Sequence, residues 1–225
     1  MTLPARPWRY VASLLAVSLV ACGSSDNGDR DRADLQFEFT ARSGPGFIDQ
    51  TLTISNSGSR GVGPTLRFTP VDAAGDRVEG VVVESAFGSD KGAVVVPPAG
   101  EVLDVLRFSG KRRYDVEDVR VRATDTTSVD VPRLDGEIIA DRVGLGGRVA
   151  GYGEPFERVV VRNPNSDAVR VRVVLLQFDT PPPGEHQQFV RARPIGGVVR
   201  LEPRSRRTLE LDRPAVGSVK AYLTR

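Results

Sequence analysis

The sequence predicts an all-β chain whose body is two β-sandwich domains in tandem, carried behind a leader and a short tether. Three observations predict it. Apolar and polar residues alternate with a period of two in short runs, as in Leu35-Gln36-Phe37-Glu38-Phe39, which is the pattern of a half-buried strand. No stretch of 11 or more residues keeps the i, i+3, i+4, i+7 apolar spacing of a long helix, and 23 glycines and 16 prolines cut the chain into short segments. The order of strands and turns in the first half is repeated in the second.

Residues 1–21 have the three parts of an export leader. Arg6 and Arg9 make a positive start with no acid before Asp26, Val11 to Val20 is apolar apart from Ser13 and Ser18, and small residues follow. An apolar core of about ten residues is too short for the roughly 20 that a membrane-spanning helix needs. Leu19-Val20-Ala21-Cys22 then places an aliphatic residue, a variable one, a small one and cysteine in that order. This resembles the lipobox of bacterial lipoproteins at every position. The resemblance implies cleavage between Ala21 and Cys22, diacylglycerol on the Cys22 sulfur and a fatty acyl group on the new amino terminus. It also implies a place in the bacterial envelope, held to a membrane by lipid. Two or more acyl chains hold a protein stably, since each buried methylene contributes about 0.8 kcal/mol. Gly23 stands where family members retained in an inner membrane often carry Asp, so in a host with two membranes the expectation leans to the periplasmic face of the outer one.

Residues 22–34 begin with Cys22 and continue as GSSDNGDRDRAD. They are too polar to bury apolar surface and predict a disordered tether. Their acids lack the Gly and terminal Glu spacing of a helix-loop-helix calcium site, and no metal is expected there.

The first sandwich is expected over 35–123. Leu52 and Ile54 alternate with threonines up to the turn Asn56-Ser57-Gly58, and Leu66 and Phe68 flank Arg67. Val78 to Val83 and Val94 to Val96 are β-rich runs, the second closed by Pro97-Pro98, and Val102 to Phe108 and Val119 to Val121 complete the set. A linker is expected over 124–134, rich in Thr and Asp, and a second sandwich over 135–225. There Arg158-Val159-Val160-Val161-Arg162-Asn163 matches Thr51-Leu52-Thr53-Ile54-Ser55-Asn56. Pro97 lies 41 residues past Asn56, and Pro203 lies 40 past Asn163. Alternating strands follow both prolines, Val102-Leu103-Asp104-Val105-Leu106 and Thr208-Leu209-Glu210-Leu211, and Val219 to Tyr222 ends the second half as Val119 to Val121 ends the first. This order looks like that of bacterial immunoglobulin-like or fibronectin type III-like modules. That resemblance implies about seven strands in each copy of ~90 residues.

Cys22 is the only cysteine, so no disulfide forms within one chain and stability must rest on apolar burial. Residues 22–130 hold 13 basic and 18 acidic side chains, a net of −5, whereas 131–225 hold 16 and 11, a net of +5. Opposite blocks of this kind favour contact between domains or between neighbouring molecules.

Chemistry-bearing patterns are few. His186 is the only histidine and sits in Pro181-Pro182-Pro183-Gly184-Glu185-His186, which reads as a surface loop. With one His there is no two-His zinc motif, and no Gly-x-Ser-x-Gly elbow supplies a nucleophile. The glycines of Gly144-Leu145-Gly146-Gly147 and Gly151-Tyr152-Gly153 do not fit a phosphate-binding fingerprint and predict a bend or hairpin. Arg191, Arg193, Arg200, Arg204, Arg206 and Arg207 cluster within 17 residues, a candidate face for an anionic lipid or polysaccharide. Poor aromatic interleaving argues against nucleic acid. The expectation is a non-enzymatic envelope lipoprotein without cofactor, serving as a spacer or interaction module for an envelope protein. The alternative is binding of an anionic ligand through the arginines.

Overall fold

Alternation sets the strands, and the two faces it creates set the layers. The computed structural model describes residues 35–41, 50–151, 153–178 and 189–225. The leader, the lipobox with Cys22, the tether and His186 lie outside the described residues. Within them the chain is all-β, with 3-10 turns only at Ser89–Lys91 and Arg113–Asp115.

Six strands build the first half: β1 (Leu35–Thr40), β2 (Thr51–Asn56), β3 (Gly61–Val71), β4 (Val82–Ser85), β5 (Gly100–Ser109) and β6 (Asp118–Val129). They form an antiparallel sheet of order β1-β2-β5-β4 and a pair β3-β6. Leu52 and Ile54 of β2 are fully buried. They pack with Leu66 of β3, Leu106 and Phe108 of β5 and Val119 of β6, so the two layers close on one apolar core. Phe39 meets Phe108 edge-on at 5.9 Å between ring centres, a favoured aromatic geometry.

The second half adds β7 (Ile139–Val143), β8 (Phe156–Arg162), β9 (Val169–Phe178), β10 (Phe189–Pro194), β11 (Val199–Leu201), β12 (Arg206–Ala215) and β13 (Ser218–Leu223). One sheet has the order β12-β8-β7; in the other, β9 is flanked by β10, β11 and β13. Phe156, Val159 and Val161 of the first sheet meet Val171, Val173 and Leu175 of the second in a sandwich-like core. Full burial of each such side chain contributes about 1.5–3 kcal/mol.

The repeated asparagines have the same task in both halves. Asn56 is buried and donates from Nδ2 to the carbonyls of Arg60 (2.7 Å) and Pro97 (3.1 Å), while its Oδ1 accepts from the Gly58 N–H (2.9 Å). Asn163 donates to the carbonyls of Asp167 (2.7 Å) and Glu202 (3.1 Å), and its Oδ1 accepts from the Asn165 N–H (3.0 Å). Each clasp ties the end of a strand to the proline turn about 40 residues on. At that turn a non-glycine residue takes positive φ in both halves, Ala99 at 47° and Arg204 at 52°. Their N–H groups donate to the carbonyls of Gly58 and Asn165, both at 3.0 Å. Those hydrogen bonds hold a backbone conformation that L-residues disfavour.

Three stretches differ from expectation. Val78 to Val81, expected within a β-run, lie ahead of β4, which begins only at Val82. Residues 124–129, expected as part of the linker, continue β6 and pair with β3 from Thr65 back to Gly61; the β-branched threonines that read as a connector suit a paired strand. Val94, Val95 and Val96, expected as a strand, make only one isolated bridge, Val62 with Val96. All three are fully buried, and each enters a different apolar cluster: Val96 the first half's core, Val95 the second half's core, and Val94 a third cluster between them. The described body belongs to one compact unit spanning Ala33–Arg225.

The clasps make a direct prediction. Asn56→Ala and Asn163→Ala each strand buried carbonyls, and each should lower the unfolding free energy in urea by about 1–3 kcal/mol. A change under about 0.5 kcal/mol, the range of ordinary surface substitutions, would contradict the role given to them.

Candidate functional site

Antiparallel register sends alternate residues of β9 to opposite faces. Val171, Val173 and Leu175 enter the second half's core, and Val174 and Leu176 point out of it. The first half offers Phe87, Val94 and Val105, and with Phe189 and Tyr222 these side chains form a buried seam. Phe87 and Tyr222 stack at 4.9 Å with 17° between ring planes. Burial chiefly, opposed by the Arg172 charge and reinforced by Asp104, pushes the Tyr222 hydroxyl up to about 12.

The loop that carries Phe87 is fixed by a buried carboxyl. Asp104 is fully buried and accepts from the Phe87 N–H (3.1 Å), from its neighbour Val105 N–H (2.7 Å) and from the Ser85 hydroxyl. Ser85 Oγ in turn accepts from the N–H groups of Gly88 (2.8 Å) and Ser89 (2.9 Å). Burial raises the Asp104 carboxyl above the ordinary carboxylate range, against the lowering effect of these hydrogen bonds. Asp104 read in the sequence as the polar partner in an alternating strand. The β2–β5 register places it opposite Leu52, a fully buried residue, which the sequence alone did not reveal.

Beside the seam opens a groove of about 490 Å³. Thr53, Leu103 and Glu101 of the first sheet line one wall, the turn Pro97 to Ala99 one end, residues 134–138 another side, and Lys220 to Leu223 of β13 the last. Its interior is mostly apolar, with Glu101, Asp135, Glu137 and Lys220 as its charged residues.

β13 pairs with β9 alone. The Thr224 N–H donates to the Arg170 carbonyl (3.0 Å), and the Leu223 carbonyl accepts from the Val95 N–H (3.0 Å) on the other side. Alternation along an antiparallel ladder then turns the N–H and C=O groups of Val219 and Ala221 away from β9.

The six arginines do not share one surface. Arg191 and Arg193 lie on β10 opposite Gln177 and Leu175, and Arg200 on β11 faces Arg170, which is the other face of that sheet. Arg206 and Arg207 belong to β12 in the other layer. Arg204 and Arg206 do come together with Arg162, around a shallow depression of about 340 Å³ that also includes Ser205. There Arg162 pairs with Asp141 at 2.6 Å. The glycine-rich stretch is a turn, with Gly144 donating to the Arg148 carbonyl (2.9 Å) and Val143 bridged to Val149.

Comparison of the chain with family models, curated proteins and solved structures gave no match.

The buried carboxyl gives a pH signature. A carboxyl raised on folding holds its proton more tightly in the folded chain. Its contribution is complete below the unfolded value of about 3.9 and is lost as pH rises through the folded value. Asp104→Asn removes that dependence. Wild-type chain should therefore lose stability relative to Asp104→Asn as pH rises from 4 toward neutrality, measured by urea unfolding at successive pH values. Parallel profiles would contradict it.

Proposed function

We propose that the chain is a lipid-anchored, non-enzymatic protein of the bacterial envelope whose β-sandwich body serves as an interaction module. The observation that carries this reading is Leu19-Val20-Ala21-Cys22, directly behind a basic start and an apolar run of export length. Diacylglycerol on Cys22 would hold the chain to a membrane, and the polar residues to 34 would tether the body. The duplicated clasps of Asn56 and Asn163 support two immunoglobulin-like modules in tandem. The seam between the halves supports a body that presents a fixed surface rather than two swinging ones. Gly23 favours the periplasmic face of an outer membrane.

A second reading is favoured by the meeting of Arg162, Arg204 and Arg206. Arg204 and Arg206 beside one depression, with Arg162 already paired to Asp141, suit a phosphate or carboxylate of an anionic envelope ligand.

One fractionation experiment separates the two. Intact mass of the exported chain should show a mature protein beginning at Cys22 with added acyl mass, and Cys22→Ser should abolish both the acyl mass and membrane association. Membrane association that survives Cys22→Ser and is released by salt would favour the arginine reading. A cleaved chain without acyl mass in the soluble fraction would overturn the anchor.

A further inference from the structure

We propose that the turn 144–149 is a membrane-contacting tip, which dips Leu145 and Val149 into the interface of a lipid bilayer with Val216 beside them. The inference rests on the lipid-anchored reading and adds to it a second, non-covalent contact that orients the body on the membrane.

Three observations carry it. First, Val149 and Leu145 are the two most exposed large apolar side chains among the described residues, at 66% and 64%, and both belong to one turn. Gly146 and Gly147 between them take positive φ, 85° and 80°, and open space surrounds the position a side chain would fill. Exposed apolar side chains gathered in this way mark a contact with a partner or a membrane. Second, a neighbouring turn adds to them. Register sets Val143 opposite Arg158 and Ala215 opposite Phe156, so the turn after β7 and the turn after β12 leave the same end of their sheet. The Arg142 guanidinium joins the two, donating to the Gly217 carbonyl (2.8 Å) and to the Ala150 carbonyl (3.4 Å). Val216, 46% exposed, stands at that end with the tip. Third, much of the polar surface of the turn is already paired. The N–H groups of Gly144, Gly147 and Ala150 donate to the carbonyls of Arg148 (2.9 Å), Gly144 (3.1 Å) and Arg142 (2.9 Å), and Arg148 pairs with Glu154 at 3.1 Å. Paired groups cost less than unpaired ones when they leave water. The size of the patch selects the bilayer over a protein. A stable protein interface takes about 20–30 residues a side, whereas a bilayer accepts single aliphatic side chains and each buried methylene adds to the attachment. An acyl anchor on Cys22 would keep the tip within reach of such a surface.

The test uses the full-length chain with Cys22→Ser, so that an introduced cysteine is the only thiol. A polarity-sensitive fluorophore is placed on Leu145→Cys, on Val149→Cys or, as a control, on Val82→Cys, an exposed position of the first half. Each chain is mixed at saturating lipid with phosphatidylcholine vesicles that carry a nitroxide quencher near the headgroups. The labels at 145 and 149 should shift to the blue and be quenched, and the label at 82 should do neither. Val149→Asp, at a position exposed in the folded chain, should abolish the shift of the label at 145. Added phosphatidylglycerol and high salt should change little, because the contact is apolar and salt screens only charges. The proposal is overturned if the labels at 145 and 149 still report water, or if all three labels shift alike. A shift that needs phosphatidylglycerol and is lost at high salt would overturn it in favour of the arginines. A shift that appears without vesicles and grows with protein concentration would overturn it in favour of a second copy of the chain. Acylation is read separately by intact mass. Its failure leaves a shift at 145 and 149 standing, and labels that report water leave the acyl anchor standing.

Discussion

Three consecutive valines hold the body together. A strand normally sends alternate side chains to two faces. Val94, Val95 and Val96 instead fill three apolar clusters, because the segment is bridged only once, to Val62. The backbone around them is tied to the other half as well. Val95 donates to the Leu223 carbonyl (3.0 Å), Thr224 Oγ1 donates to the Ala93 carbonyl (2.9 Å), and Arg225 donates to the Gly92 carbonyl (2.8 Å). One short segment of the first half thus finishes the core of the second.

This fusion fixes the candidate site. The groove exists because Phe87 stacks on Tyr222 and the two halves cannot separate without exposing Val105, Val174, Leu176 and Phe189. Asp104 holds the loop on which Phe87 sits, so a buried polar network in the first half sets the position of a wall shared with the second.

The strands were legible in the sequence wherever one face is buried and the other wet, as at Leu52 and Ile54 or Leu209 and Leu211. The asparagine repeat was legible too, because the same hydrogen-bonding task recurs at nearly the same separation from a proline turn. Three features were hidden. Val94 to Val96 read as an ordinary strand, since no local pattern reveals that three neighbours belong to three cores. Asp104 read only as one residue of an alternating strand, since burial of a carboxyl depends on donors from Ser85, Phe87 and Val105 that only the fold assembles. The arginine cluster looked like one surface because chain proximity ignores register; β11 and β12 are neighbours in sequence but lie in different layers. The groove itself draws on five separate stretches, none distinctive alone.

Cooperativity of unfolding is the most direct test of this fused architecture. Scanning calorimetry of the full-length chain should show one transition, with a van't Hoff enthalpy equal to the calorimetric enthalpy, the mark of a single cooperative unit. Two resolved transitions, or a calorimetric enthalpy near twice the van't Hoff value, would mean that the halves fold independently and that the valine segment does not join them.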